Sequence, residues 1–319
     1  MIVDLTIMSS TPGLGSIRRS ALVAALCVAL GASGGMVSQP PTASPAGQAV
    51  YWCPMHPDIR GKEGDTCPIC KMALVRAAAT DYDAYLLEVE VTPRVLRARQ
   101  RARVRFSVRD PHTQKKISRF ELVHERVFHL FVISQDLEYF THIHPTLRSD
   151  GSLDVDVELP RPGVYQLIAD FLPLGGAPQL VQQSIVTAGY TGPLVAPPHP
   201  APDLADKIVG GTRVKLTLPE PLAGREQLVT FDLEDVATGA PVADLQPYLG
   251  AVGHLLLASA DLAIAAHNHP VAEMSGRGGP TVVFQMLFPR AGDYKLWVQF
   301  QRGGQVLTAA FAVPVKGRY

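Results

Sequence analysis

The sequence predicts a mainly β protein, a small cysteine-bearing knuckle followed by two homologous Greek-key β-sandwiches, and two observations carry that prediction. The first is periodicity: short apolar runs alternate with polar residues, as in Leu86 to Val91 and Val164 to Phe171, and are punctuated by Gly, Pro and Asp. No amphipathic segment of helical length sustains heptads, which excludes a long coiled-coil hairpin. The second is an internal repeat offset by 125 residues, in which His129-Leu-Phe-Val-Ile-Ser-Gln-Asp-Leu with His142-Ile-His144-Pro145 returns as His254-Leu-Leu-Leu-Ala-Ser-Ala-Asp-Leu with His267-Asn-His269-Pro270. The same offset aligns Phe106 with Phe231, Asp110 with Asp235 and Thr113 with Thr238, so whole domains are duplicated.

Each repeat closes on a similar phrase, Arg161-Pro-Gly-Val-Tyr165 and Arg290-Ala-Gly-Asp-Tyr294. A Gly-x-Tyr entering a late strand resembles the tyrosine corner of immunoglobulin-like sandwiches, in which the phenol bonds back to a nearby main chain. The alternative is a half-buried strand aromatic with no such bond.

A chain of 319 residues fits two or three compact units of roughly 100 residues. Arg18 and Arg19 before the uncharged run Ala21 to Ala32 read as a secretory signal over residues 1–32, cleaved rather than retained as an anchor, because the run is shorter than a membrane-spanning helix. The uncharged Gly-, Ser- and Pro-containing residues 33–50 read as a flexible tether, and residues 51–75 as the knuckle. Residues 84–190 form the first sandwich, 191–207 a Pro-rich linker and 208–317 the second sandwich. Each sandwich is expected to bury its own core and to survive a cut in the linker. A periplasmic or secreted location follows, with no membrane span in the mature chain. The formal net charge of zero argues against nucleic acid as a partner. No G-x-S-x-G, H-E-x-x-H or blue-copper spacing is present, so no enzymatic activity is expected.

Beyond the leader, the cysteines are Cys53, Cys67 and Cys70, an odd, clustered set that is not a disulfide framework. The pairs Cys53-x-x-His56 and Cys67-x-x-Cys70 each let two side chains converge on one ion, and together they make a tetrahedral Cys3His site. Structural zinc and Cu(I) both suit that donor set. Met55 and Met72 add soft thioethers that favour Cu(I), or else serve as packing around the knuckle.

The stretch resembles the heavy-metal-binding domain of copper and silver efflux adaptors and some copper-transporting P-type ATPases, whose pattern is Y-x-C-P-M-H-P followed by P-G-x-C-P-x-C-G-M-x-L. Tyr51, Cys53, Pro54, Met55, His56, Pro57, Cys67, Pro68, Cys70, Met72 and Leu74 match it. Gly64-Asp65 and Lys71 depart from it, and Lys71 places a cation beside the ligands. The resemblance implies a heavy-metal ligand set, with a metal efflux or transport protein as partner. The rest of the chain carries no adaptor hairpin and resembles instead uncharacterised secreted proteins with an H-L-x-x-x-S-x-D-L-x-x-x-x-H-x-H-P signature.

The repeated histidines are the second candidate. If Gln135-Asp136 is a two-residue hairpin loop, His129 faces His142, and His144 shares their face. The same reasoning brings His254, His267 and His269 together, and two nitrogen-only sites for Cu(II) or Zn(II) result. The bland alternative is a set of core histidines bonded to main-chain carbonyls; His124 and Glu125 are optional donors in the first repeat. The expected function is an exported copper- or silver-like metal-binding protein for buffering, delivery or resistance. Its competitor is a secreted scaffold whose knuckle holds structural zinc.

Overall fold

The computed structural model describes residues 50–52, 60–62, 64–68, 74–77, 84–194, 200–271 and 278–317. The expected leader and most of the tether lie outside them, as do Cys53, Met55, His56, Cys70 and Met72. Among the described residues none is helical, and none forms a helix long and apolar enough to cross a membrane.

In the knuckle, strands β1 (Val50–Trp52), β2 (Arg60–Gly61) and β3 (Val75–Ala77) form an antiparallel sheet ordered β2-β1-β3. Gly64 takes φ of 86°, a left-handed value that glycine reaches without a Cβ clash, and Asp65 closes the turn by accepting from Lys62 N at 2.8 Å. Leu74 donates to the Asp65 carbonyl at 2.8 Å, tying the chain beyond the second cysteine pair to this turn. Cys67 and Leu74 are buried.

The first sandwich comprises β4 (Leu86–Thr92), β5 (Arg101–Arg109), β6 (Phe128–Ser134), β7 (Phe140–Ile143), β8 (Thr146–Leu147), β9 (Leu153–Glu158), β10 (Val164–Phe171) and β11 (Gln179–Val186). Its sheets are ordered β4-β5-β9-β8 and β11-β10-β6-β7. The chain crosses between sheets after β5, β7 and β9, as Greek-key connections require. The second sandwich comprises β12 (Lys207–Val209), β13 (Thr212–Thr217), β14 (Glu226–Asp235), β15 (Leu245–Gln246), β16 (His254–Ser259), β17 (Ala265–Asn268), β18 (Thr281–Leu287), β19 (Gly292–Arg302) and β20 (Gln305–Val315). Its sheets are β12-β13-β14-β18 and β15-β19-β16-β17, with β20 also paired to β19. The linker joins this sandwich by Asp203, which exchanges both backbone hydrogen bonds with Ala312.

The duplication extends to small devices. Tyr165 Oη donates to the Arg161 carbonyl at 2.8 Å and Tyr294 Oη to the Arg290 carbonyl at 2.9 Å, so both tyrosine corners are present. Asp110 and Asp235 each accept from the backbone three residues on, at Thr113 and Thr238. Phe106 and Phe231 are fully buried in their respective cores.

Each sandwich buries its own core, as expected, yet the two are not independent. Along β6 and β16 every residue is buried. Phe128, Leu130 and Val132 enter the first core, and Leu255 and Leu257 the second. The opposite faces meet in a third cluster, Phe131, Ile133 and Ile168 from one repeat against Leu256, Ala258 and Trp297 from the other. Phe140 stacks on Trp297 across the junction with ring centroids 5.2 Å apart. The alternation therefore separates two apolar environments rather than core from solvent, and a cut in the linker would leave halves held together by this face.

A candidate metal centre between the sandwiches

The histidines stand on the strands that build this junction. The hairpin register differs from the one expected: Phe131, not His129, is opposite His142, and Leu256, not His254, is opposite His267. The cause is the turn. Ser134 N bonds the Tyr139 carbonyl, enclosing a four-residue loop in which Leu137 is left-handed (φ 61°) and Asp136 accepts from Ser134 Oγ at 2.5 Å and from Glu138 N. The second repeat has the same loop, with Asp261 and Leu262 in these roles. The slip is two residues, an even number, so every histidine keeps its predicted face.

One nitrogen from each of His129, His142 and His144 lies within 4.8 Å of the others, and the same holds for His254, His267 and His269. In the first triad His129 Nδ1 is 3.1 Å from His142 Nε2, which is 3.2 Å from His144 Nε2. In the second, His254 Nδ1 is 3.2 Å from His267 Nε2. The outer nitrogens decide what these short distances mean. His129 Nε2 lies 3.0 Å from the Val123 carbonyl and His254 Nε2 2.8 Å from the Tyr248 carbonyl. A carbonyl only accepts, so these outer nitrogens carry the protons. His142 Nδ1 donates to Gln299 Oε1 at 2.9 Å and His267 Nδ1 to Asp170 Oδ2 at 2.6 Å. The inner nitrogens of His129 and His142, and those of His254 and His267, thus face each other as bare lone pairs, with no proton to share. That arrangement suits a cation, whose nitrogen ligands at about 2.0–2.1 Å would stand roughly 3 Å apart, and it does not suit a hydrogen-bond network.

The carbonyl acceptors come from matching tight turns. His124 and Glu125 in the first repeat, and Leu249 and Gly250 in the second, have left-handed φ values of 47°, 62°, 51° and 73°. Left-handed backbone at three non-glycine residues is a local cost that turns Val123 O and Tyr248 O toward the rings. The acceptors for the middle histidines are crossed. Gln299, opposite His254 on β19, serves His142 of the other sandwich, whereas Asp170, opposite His129 on β10, serves His267. An imidazole whose outer N–H is held by a carbonyl or carboxylate is the usual second layer of a metal site.

The triads abut. Ring centroids of His129 and His267 are 5.4 Å apart, and those of His142 and His254 5.7 Å. His124, weighed above only as an optional donor, stacks on His269 at 3.6 Å. Its Nε2 and both ring nitrogens of His269 are buried without a hydrogen-bond partner, and metal ligation would satisfy one of the two His269 nitrogens. His112 stays on an exposed turn far from this centre in sequence and takes no part in either triad. Sequence reasoning missed Asp170 and Gln299. The available signal was that each stands five residues after a corner tyrosine.

Burial holds these imidazoles neutral. Desolvation lowers His124 to about 4 and His144 to about 3, and holds His142, His254, His267 and His269 well below the usual value. Desolvation also lowers His129, with Asp170 opposing and Arg126 reinforcing the shift, and it raises Asp170. In the unfolded chain the same histidines titrate near 6.5. Stability is therefore full above that pH and is lost as pH falls from about 6.5 toward 4, where the unfolded chain takes up protons that the folded one refuses. The metal-stripped full chain should show a melting temperature that is flat between pH 8 and 7 and falls steeply below 6.5, by scanning calorimetry. A flat profile down to pH 4.5 would contradict the buried, neutral triads.

A family model described as "Domain of unknown function (DUF8832)" matches residues 80–188 and again 207–317, and one described as "Heavy metal binding domain" matches residues 50–77. No curated protein matches the chain significantly. Among solved structures, the fibronectin(III)-like modules of Clostridium thermocellum CbhA are 11% identical, over 73% of this chain and 95% of theirs, with a TM-score of 0.21. The segment of two fibronectin type-III domains from chicken tenascin is 10% identical, over 73% of this chain and 99% of its own, with a TM-score of 0.22.

Proposed function

Because the chain belongs to the family described as domain of unknown function DUF8832, carried twice beside a heavy metal binding domain, we propose that it is an exported, non-catalytic binding protein for copper-like metal ions. Its role is buffering, delivery or resistance in the periplasm or outside the cell, alongside a metal efflux or transport protein. The observation that carries the reading is the pair of imidazole triads, in each of which two rings turn inner lone pairs toward one another while their outer N–H groups are held. All-nitrogen donors suit Cu(II) or Zn(II) there. The knuckle offers a different chemistry: Cys53, Cys67, Cys70 and His56, with Met55 and Met72 beside them, favour a soft ion such as Cu(I). The chain thus carries a thiolate site and two imidazole sites of unlike softness.

A structural-zinc reading of the knuckle is favoured by the Cys3His set itself. Metal analysis separates the proposals. After reconstitution with copper, the full chain should hold three ions and a variant lacking residues 51–74 two, by plasma mass spectrometry. A variant without this segment that holds none would remove the triads from the function. A full chain that retains zinc at the knuckle against a Cu(I) challenge would favour the scaffold reading.

A further inference from the structure

The two triads are matched in almost every respect. His129 answers His254, His142 answers His267 and His144 answers His269, and the Val123 and Tyr248 carbonyls hold equivalent nitrogens. Two features differ: His124 stacks on His269 where the other repeat has Leu249, and the acceptors of the middle histidines are unlike. His267 is backed by the Asp170 carboxylate at 2.6 Å, His142 by the Gln299 amide at 2.9 Å. The Gln299 amide is fixed in that sense by its own Nε2, which donates to Thr308 Oγ1 at 3.1 Å.

We propose that the triads fill in a fixed order, with the His254, His267 and His269 triad taking the first divalent ion, and that Asp170, reaching from the other sandwich, is the positioning residue that sets this order. The inference rests on the metal-binding reading of the triads. A carboxylate acceptor pulls the outer proton and makes the opposite nitrogen a stronger donor; an amide orients the ring and does little more. The carboxylate also brings a negative charge to a desolvated site that must accept a doubly positive ion, where an amide brings none. The Asp170 charge also reaches His129 of the first triad, but there Arg126 opposes it, and Arg126 acts on His144 of that triad as well. A second ion, arriving beside the first, meets both the weaker donor set and like-charge repulsion.

Cobalt(II) is a suitable probe, titrated into the full chain carrying Cys67→Ser and Cys70→Ser so that its visible bands report imidazole sites alone. Two ions should bind, the first at least tenfold more tightly. Asp170→Asn should weaken the first step by roughly 10–100-fold. Gln299→Glu should strengthen the second. The decisive variant is the exchange Asp170→Asn with Gln299→Glu, which keeps shape and total charge and should reverse the order. His144→Ala, placed in both backgrounds, should remove the weak step before the exchange and the tight step after it; His269→Ala should do the opposite. A merely structural Asp170 would alter melting without reversing the order. Two equal steps, or an order unchanged by the exchange, would overturn the proposal while leaving the metal reading intact. Absence of any cobalt binding would overturn both.

Discussion

Replacing Phe131 with Ala should destabilise the protein by about 3–5 kcal/mol and reduce divalent-metal uptake at both triads, although Phe131 is not a ligand. The ring is 1% exposed and stands on β6 with its face on the junction. It stacks on His142 with centroids 4.1 Å apart and meets His267 of the other sandwich edge-on at 4.7 Å. Truncation opens a cavity in the shared apolar cluster and removes the surface that fixes the middle histidine of each triad. Guanidinium denaturation of the full chain measures the first effect and cobalt titration the second. Loss confined to the first triad would show that the cluster does not couple the two repeats.

The second large effect belongs to the knuckle. Cys67→Ser with Cys70→Ser should lower Cu(I) affinity by orders of magnitude, because two soft anionic donors are lost and the metal is part of what holds so small a sheet together. Cys67 is fully buried. Melting of the sandwiches should be unchanged, since their cores contain no residue of this segment. Competition with a chromophoric Cu(I) chelator reads the affinity. Replacing Met55 and Met72 with Leu sharpens the result: weakened Cu(I) with unchanged zinc supports thioether ligation, and unchanged Cu(I) assigns the methionines to packing.

Much of the fold was legible because duplication wrote it twice. The corner tyrosines and the even-numbered spacing of the histidines stand in the chain as repeated phrases, and each has its predicted place; the aligned Asp and Thr residues recur too, and the structure shows them to be turns. The hairpin register was not legible: Asp136 and Leu137 support either a two- or a four-residue loop until the Ser134 hydroxyl is seen to bond the Asp136 carboxylate. The junction was written less plainly. His129-Leu-Phe-Val-Ile is an uninterrupted apolar run of the kind a strand buried on both faces carries, in contrast to the strict alternation of Arg101 to Arg109. Nothing local distinguishes a run buried in one core from a run shared by two. Asp170 and Gln299 were hidden for a related reason, since each acts on a ring more than 95 residues away in sequence.

The crossed acceptors have an evolutionary reading. Residue for residue, His142 with Gln299 and His267 with Asp170 form the reciprocal contact of an isologous dimer, in which one patch meets its own copy about a two-fold axis. The chain is in this sense a homodimer fused head to tail. In a true homodimer any substitution is made on both sides of the axis at once, so its two sites are obliged to stay identical. Fusion removes that obligation. Asp170 against Gln299 and His124 against Leu249 are places where the halves have already parted, each free to change while the other half preserves the frame.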